Sequence, residues 1–447
     1  VVTALENNQS FRVARYDPAL AREVEEALRA DFDPILGATA TLSWNRTEPD
    51  DIARNSAEVN LTATKRFMTG GTLTAEIDQS RSHPADLYAT RAGISATQAL
   101  LRGMGPDVTL ADLREAGIDT EISAWEVRGA AESLAASVSA AYWDHALALR
   151  RAEIAAQSLD LARRLLKETE DFISVGRTAE IERIVSEAEV AVRLQDEVDA
   201  RSGVSSTRLA LLGLLRLSGE TPWDRRVELI DVPALPAAGA DAVEDHVALG
   251  IARRRDLNQA RFELARGEIE IVRTRNGLLP RLDLFVTLGK TGYADSFGGS
   301  VEDLDGNGYD ASAGLTGEWP LGNRRAKAEH RRAVLGRDRT AEAVENLVRL
   351  AELDVRQAHL ETQRLRGRID ATRATLLLQE EKLRAEEEKF RVGKSTNLAV
   401  AQVQRDLTQS RIDEAQAVTD YLKALTDLYR LDGSLLERYG IRAPGAL

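Results

Sequence analysis

The sequence predicts an α+β membrane protein in which β-barrel strands are joined to unusually long helices, arranged as an internal two-fold structural repeat. Three observations predict it. Four segments alternate apolar and small polar residues over about ten positions, the length that crosses a bilayer when tilted. Four others run for tens of residues with almost no Gly and no Pro. Both kinds recur in the same order in each half of the chain.

The first strand, about 34–47, contains "PILGATATLSW" and sets Leu36, Ala38, Ala40, Leu42 and Trp44 on one face against Gly37, Thr39, Thr41 and Ser43. Its return, about 91–99, alternates Ala92, Ile94 and Ala96 against Ser95 and Thr97. In the second half, strands at about 281–290 and 311–319 repeat the pattern: Leu282, Leu284, Val286 and Leu288 oppose Arg281, Asp283 and Thr287, and Leu315 and Trp319 oppose Ser312, Thr316 and Glu318. Alternation alone also fits a water-soluble antiparallel sheet with one wet face. Trp44 and Trp319, at strand ends on the apolar faces, favour lipid, because aromatic side chains gather at the membrane interface. An additional hairpin, "VNLTATKRFMTGGTLTAEID" at 59–78, turns around Thr69, Gly70 and Gly71. It is expected outside the membrane as a surface extension, with lengthening of the barrel as the alternative.

Long helices are expected over about 121–174, 178–217, 324–391 and 396–431, roughly 80 to 100 Å for the longest. Ala415, Val418, Leu422, Leu425 and Tyr429 step by three and four, so these helices pack along their length. The chain divides accordingly into a first repeat over 1–217, a connecting segment over 218–240, a second repeat over 241–431 and a C-terminal tail over 432–447. Two short breaks interrupt the helices, "SVGRT" at 174–178 and "RVGKS" at 391–395. Gly suits such reversals because it takes positive φ without a Cβ clash, and a following Ser or Thr can cap the next helix.

Composition removes several classes. The net charge of −13 argues against nucleic acid as a partner. With no cysteine there is no thiolate, zinc cluster or disulfide. The five histidines are scattered with no pair at i, i+4, so neither a zinc site nor a histidine-based catalytic set forms, and no cofactor is expected. No apolar run is long enough for a spanning helix, so a membrane crossing here is made by a barrel. The opening "VVTALENN" is read as a processed or trimmed start.

"QALLRG" at 98–103, "LLPRLDL" at 278–284, "EWPLGNRR" at 318–325 and the two Val-Gly breaks together resemble the TolC-like outer-membrane efflux protein family, over nearly the whole chain from about residue 4 to 431. The resemblance implies a homotrimer in which each protomer gives four strands to a shared twelve-stranded barrel and its helices form a long periplasmic tunnel. It implies no catalysis. The protein would be a passive outer-membrane duct of a tripartite efflux or type I secretion system, engaged by an inner-membrane pump through a periplasmic adaptor. Val175, Gly176, Arg177 and Thr178, with Val392, Gly393, Lys394 and Ser395, match the family's adaptor-docking helix tips. The positions that carry Asp at the tunnel entrance in some members are Ala399 and Gln402 here, leaving closure to helix packing or to an acid such as Glu180, Glu182 or Asp406. Thr39, Thr41, Ser43, Asp283, Thr287 and Glu318 would line the lumen and, with the net charge, favour cations mildly. The alternative is a soluble coiled-coil scaffold, which accounts for the helices but leaves four lipid-length strands without a purpose.

One further motif is "DLDGNGYD" at 303–310, where Asp303, Asp305 and Asn307 match the start of a calcium loop but Gly314 stands where the closing Glu belongs. It is either a weak calcium site or a solvated polar loop.

Overall fold

The computed structural model describes residues 1–47, 52–83, 87–216, 222–230 and 242–442. Of the connecting segment expected over 218–240, residues 218–221 and 231–240 lie outside the described residues, as do residues 443–447 of the tail. In chain order the elements are α1 (Val2–Asn7), α2 (Gln9–Ala14), α3 (Asp17–Arg29), β1 (Ile35–Thr47), β2 (Ile52–Arg66), β3 (Gly71–His83), β4 (Leu87–Ala99), α4 (Pro106–Thr109), α5 (Ala111–Ser174) and α6 (Ile181–Leu215). After them come α7 (Val243–Arg253), α8 (Arg255–Asn276), β5 (Arg281–Ala294), α9 (Phe297–Glu302), β6 (Tyr309–Glu318), α10 (Arg324–Arg391), α11 (Asn397–Leu431) and α12 (Leu435–Arg438). They form two compact units. A helical unit comprises Val1–Asp17, Ala124–Asn258 and Glu345–Leu447, and a sheet unit comprises Pro18–Ser123 and Gln259–Val344.

The sheet unit carries one antiparallel sheet in the order β1-β2-β3-β4-β5-β6. The register keeps the two periodic faces continuous across every strand. Ala38 pairs with Leu61, Leu61 with Ile77, Ile77 with Ala92 and Ala92 with Lys290, while Ala63, Ala75, Ile94 and Leu288 form the next row of the same face. A slip of one residue would send each apolar set to the opposite face, so the alternation itself specifies the pairing.

This corrects the expected four strands to six. The hairpin read at 59–78 is not a surface extension: β2 and β3 stand inside the sheet, paired on both sides, with their turn at the end where the strands meet the helices. Glu58, Glu76 and Asp78 fall on the polar face, where Arg91 of β4 pairs with Glu76 and Asp310. The turn is held in place by its neighbours. Gly70 takes φ +87°, its carbonyl accepts the Ala99 N–H at 3.2 Å, and the Thr69 carbonyl accepts the Gly105 N–H at 3.1 Å.

The pairing is also staggered. The row that begins at Ala40, sixth residue of β1, reaches Gly292, twelfth residue of β5, after four strand steps. At roughly 3.3 Å per residue and 4.8 Å per step this corresponds to a strand tilt of roughly 45°, the slant a sheet needs to close as a barrel.

The helical unit packs α5, α6, α10 and α11 through stripes of buried side chains. Val355, Leu365 and Ile369 of α10 meet Val418, Tyr421, Leu422, Leu425 and Leu428 of α11. Toward the other end of these helices, Leu165 of α5, Leu383 of α10 and Val400, Val403 and Leu407 of α11 form a second cluster. The steps of three and four are those of long helices laid side by side. Small residues contribute too: Phe11, Leu435 and Leu436 pack on Val127, Ala131 and Ala135 of α5. Among the described residues no helix is long and apolar enough to cross a membrane.

Candidate functional site

Two helix reversals in the helical unit are built to one plan. Where α5 ends, the Gly176 N–H donates to the Ile173 carbonyl and the Arg177 N–H to the Phe172 carbonyl, both at 2.9 Å. Where α10 ends, Gly393 donates to Phe390 at 2.9 Å and Lys394 to Lys389 at 2.8 Å. These are the paired bonds of a Schellman motif, with Gly in the left-handed position at φ +73° and +74°. A Cβ at either glycine would meet nothing within 4 Å, so the requirement for Gly lies in the backbone alone.

The helix starts that follow differ. At the second reversal Thr396 accepts the Ala399 N–H at 3.2 Å and caps α11. The equivalent residue of the first reversal is Ala179, and α6 begins with no side-chain cap. Ser395 and Thr178 therefore do not act as caps. The Ser395 hydroxyl bonds Glu386 instead and, with Lys389, holds that carboxyl below the usual range.

The reversals share a surface the sequence reading did not isolate. Val175 and Ile181 are 66% and 61% exposed, and their equivalents Val392 and Leu398 are 64% and 56% exposed. Each reversal thus presents two aliphatic side chains beside one basic residue, Arg177 or Lys394. Phe172 and Phe390 join the two reversals, their rings 5.9 Å apart, and Arg177 lies 4.8 Å above the Phe172 ring.

Behind the reversals a buried polar node ties three helices. Asn397 of α11 donates to Thr169 of α5 at 3.0 Å and also bonds Ser186 of α6, and all three residues are buried. Only tertiary packing brings them together. Of the entrance-level residues, Ala399 is half-buried and Gln402 exposed. The alternative acids are largely engaged: Glu180 pairs with Arg183 at 2.7 Å and Asp406 with Lys382 at 2.9 Å, while Glu182 keeps one buried oxygen without a partner.

In the sheet unit, Thr39, Thr41, Ser43, Asp283, Thr287 and Glu318 all fall on the polar face. Ser43 bonds Ser56 at 2.6 Å, and Asp283 is buried against Arg281 at 2.6 Å rather than open to solvent. A charged cluster on this face has no signature in the sequence. Arg91 pairs with Glu76 of β3 and, across β5, with Asp310 of β6 at 2.9 Å. It can reach over β5 because Gly289 stands between: a Cβ there would lie 2.6 Å from the Asp310 carboxylate.

Trp44 lies on the apolar face at the far end of β1, and Trp319 follows the helix end of β6; both are exposed. Tyr88 and Tyr309 extend the far-end aromatic row on β4 and β6. Of the calcium-loop residues, Asp303 accepts the Tyr293 N–H at 2.8 Å, closing the loop on itself. Among the described residues no three His, Cys, Asp or Glu side chains gather as a metal site.

Residues 248–434 match the outer membrane efflux protein family. No curated protein matches the sequence. The fold is that of solved outer-membrane channels. The outer-membrane channel OprN is similar at 18% identity, with a TM-score of 0.75 over 97% of this chain and 88% of that one. The Vibrio cholerae outer membrane protein VceC matches at 15% identity and a TM-score of 0.73, over 96% and 94% of the two chains. The Neisseria gonorrhoeae MtrE outer membrane channel in its open state matches at 21% identity and 0.69, over 97% and 88%.

Proposed function

We propose, on the premise of the outer membrane efflux protein match and the channel fold, that this chain is the outer-membrane duct of a tripartite efflux or type I secretion system. The observation that carries the proposal is the sheet. One face carries Leu36, Ala63, Ala75, Ile94, Leu288 and Ala311 in a single row across all six tilted strands, and among the described residues β1 and β6 each leave one edge unpaired. Unpaired backbone groups are not tolerated in hydrocarbon, so such a sheet becomes a membrane wall only when copies of the chain pair edge to edge. A soluble scaffold has no use for it.

Three copies form the duct in the outer membrane, and the helical unit of each lies in the periplasm. The polar face lines the lumen, with Thr39, Thr41, Ser43, Thr287 and Glu318 alongside the Arg91 cluster, and Trp44 and Trp319 mark the two lipid interfaces. The duct performs no chemistry and needs no cofactor. Energy comes from an inner-membrane pump, transmitted by a periplasmic adaptor that seats on the helix reversals at Val175, Gly176, Arg177, Thr178 and Val392, Gly393, Lys394, Ser395. The repeated aliphatic pairs, Val175 with Ile181 and Val392 with Leu398, support that assignment. Adaptor binding opens the entrance at the level of Ala399 and Gln402 by favouring splayed helix ends over closed ones, since only differential affinity shifts such an equilibrium.

The test is a photo-crosslinking residue at Arg177 or Lys394 in living cells. Capture of a periplasmic adaptor at both positions is expected. Capture of sister protomers alone, in cells that are exporting, would remove the reversals from the docking surface.

A further inference from the structure

We infer that the barrel closed by this chain has eighteen strands, six from each of three copies, and that β2 and β3 are a two-strand insertion that widens it. The inference rests on the trimeric reading above and adds what the sheet requires of it.

β2 and β3 are integral to the wall. Each pairs along its length with both neighbours, and the apolar face passes through them without interruption from Ala38 to Leu61, Ile77 and Ala92. Their polar faces are equally engaged: Asn60 of β2 bonds Asp78 of β3, which lies opposite Arg91 of β4. The hairpin turn is seated at the helix end against Gly103, where a Cβ on Gly70 would overlap the Gly103 carbonyl. A hairpin lying outside the barrel would break each of these contacts.

The insertion also preserves topology. β1 runs from the helix end to the far end, and β4 runs back. Removing the hairpin between them would leave two antiparallel neighbours, because a pair of strands adds no net change of direction.

The free edges point to another copy of the same chain as their occupant. β1 ascends and β6 descends, so β1 of one copy and β6 of the next are antiparallel when their helix ends are level. Their apolar positions also continue one surface, with Leu36, Ala38, Ala40, Leu42 and Trp44 facing the same side as Tyr309, Ala311, Ala313 and Leu315. Barrel diameter grows almost linearly with strand number, so eighteen strands make a ring about one and a half times as wide as twelve.

The experiment compares the full chain with a variant lacking residues 52–83, both purified from membranes, by native mass spectrometry and end-on electron microscopy. Three copies are expected in each, with the barrel of the full chain about half again as wide as that of the deletion variant. Three copies with equal barrel widths would overturn the inference while leaving the trimer intact. Two copies in a sealed barrel would overturn the trimer and the strand count together. If the deletion variant does not fold, hydrogen exchange on the full chain decides: β2 and β3 amides should be as protected as those of β4, and free exchange there would reject the insertion.

Discussion

The two halves of the chain are alike at the helix reversals and unlike in the sheet. At the reversals the two halves agree bond for bond, with Gly176 and Gly393 at the same φ and the same two carbonyls closing each helix. In the sheet they disagree, the first half giving four strands and the second two. A reversal has few solutions, because the chain must turn within a few residues and satisfy its own carbonyls. A sheet is permissive, since a hairpin of the right alternation can enter between two neighbours without altering the face that either presents.

Three substitutions or conditions test that contrast, the largest effect first. Gly176→Pro and Gly393→Pro demand φ near −65° where the chain has about +73° and remove the N–H that closes each helix. A local cost of about 3 kcal/mol or more is expected, with loss of export while the trimer still assembles in the membrane. An export assay alongside a trimer gel reads both, and full export by both variants would detach the reversals from function.

The caps offer a finer test, because they are where the reversals differ. Thr396→Ala should lower the stability of the helical unit by about 1 kcal/mol, whereas Glu180→Ala, at the start of α6 where no side chain caps the helix, should lower it by less. Denaturant midpoints would show it, and equal losses at both sites would mean that capping is irrelevant here.

The smallest expected effect is one of pH. Burial, followed by the nearby Arg208 charge, holds the His145 ring below its ordinary pKa; burial, followed by the neighbouring His246, does so for His359. Both folded-state values are lowered, so the unfolded chain takes up more protons on acidification. Their stabilising effect is complete above the ordinary histidine value of about 6.5 and is lost as pH falls below it. Unfolding followed by circular dichroism from pH 7.5 to 5 should show a decline that His145→Gln combined with His359→Gln flattens. An unchanged slope in the double variant would assign the decline to other groups.

The elements most legible in the sequence are those set by neighbours in the chain. Val-Gly breaks between Ala- and Glu-rich stretches marked both reversals, and alternation such as Leu36, Ala38, Ala40 against Gly37, Thr39, Thr41 marked the strands. The same alternation runs through β2 and β3, but that Glu76 and Asp78 belong to a wall is not visible locally, because their partner Arg91 lies on another strand. Ile181 and Leu398 carry no local signal either: aliphatic residues on a helix are ordinarily core, and only packing shows which are left outside.

By itself, the sequence determined the period of each segment and the points where the backbone must turn, because side-chain alternation and positive φ are properties of a few consecutive residues. Tertiary structure alone decided that the sheet has six strands, that Arg91 reaches Asp310 from 219 residues away, and that Asn397 meets Thr169 across 228. Those outcomes depend on which strand or helix lies beside which, and the energy that selects a neighbour is shared between segments far apart in the chain.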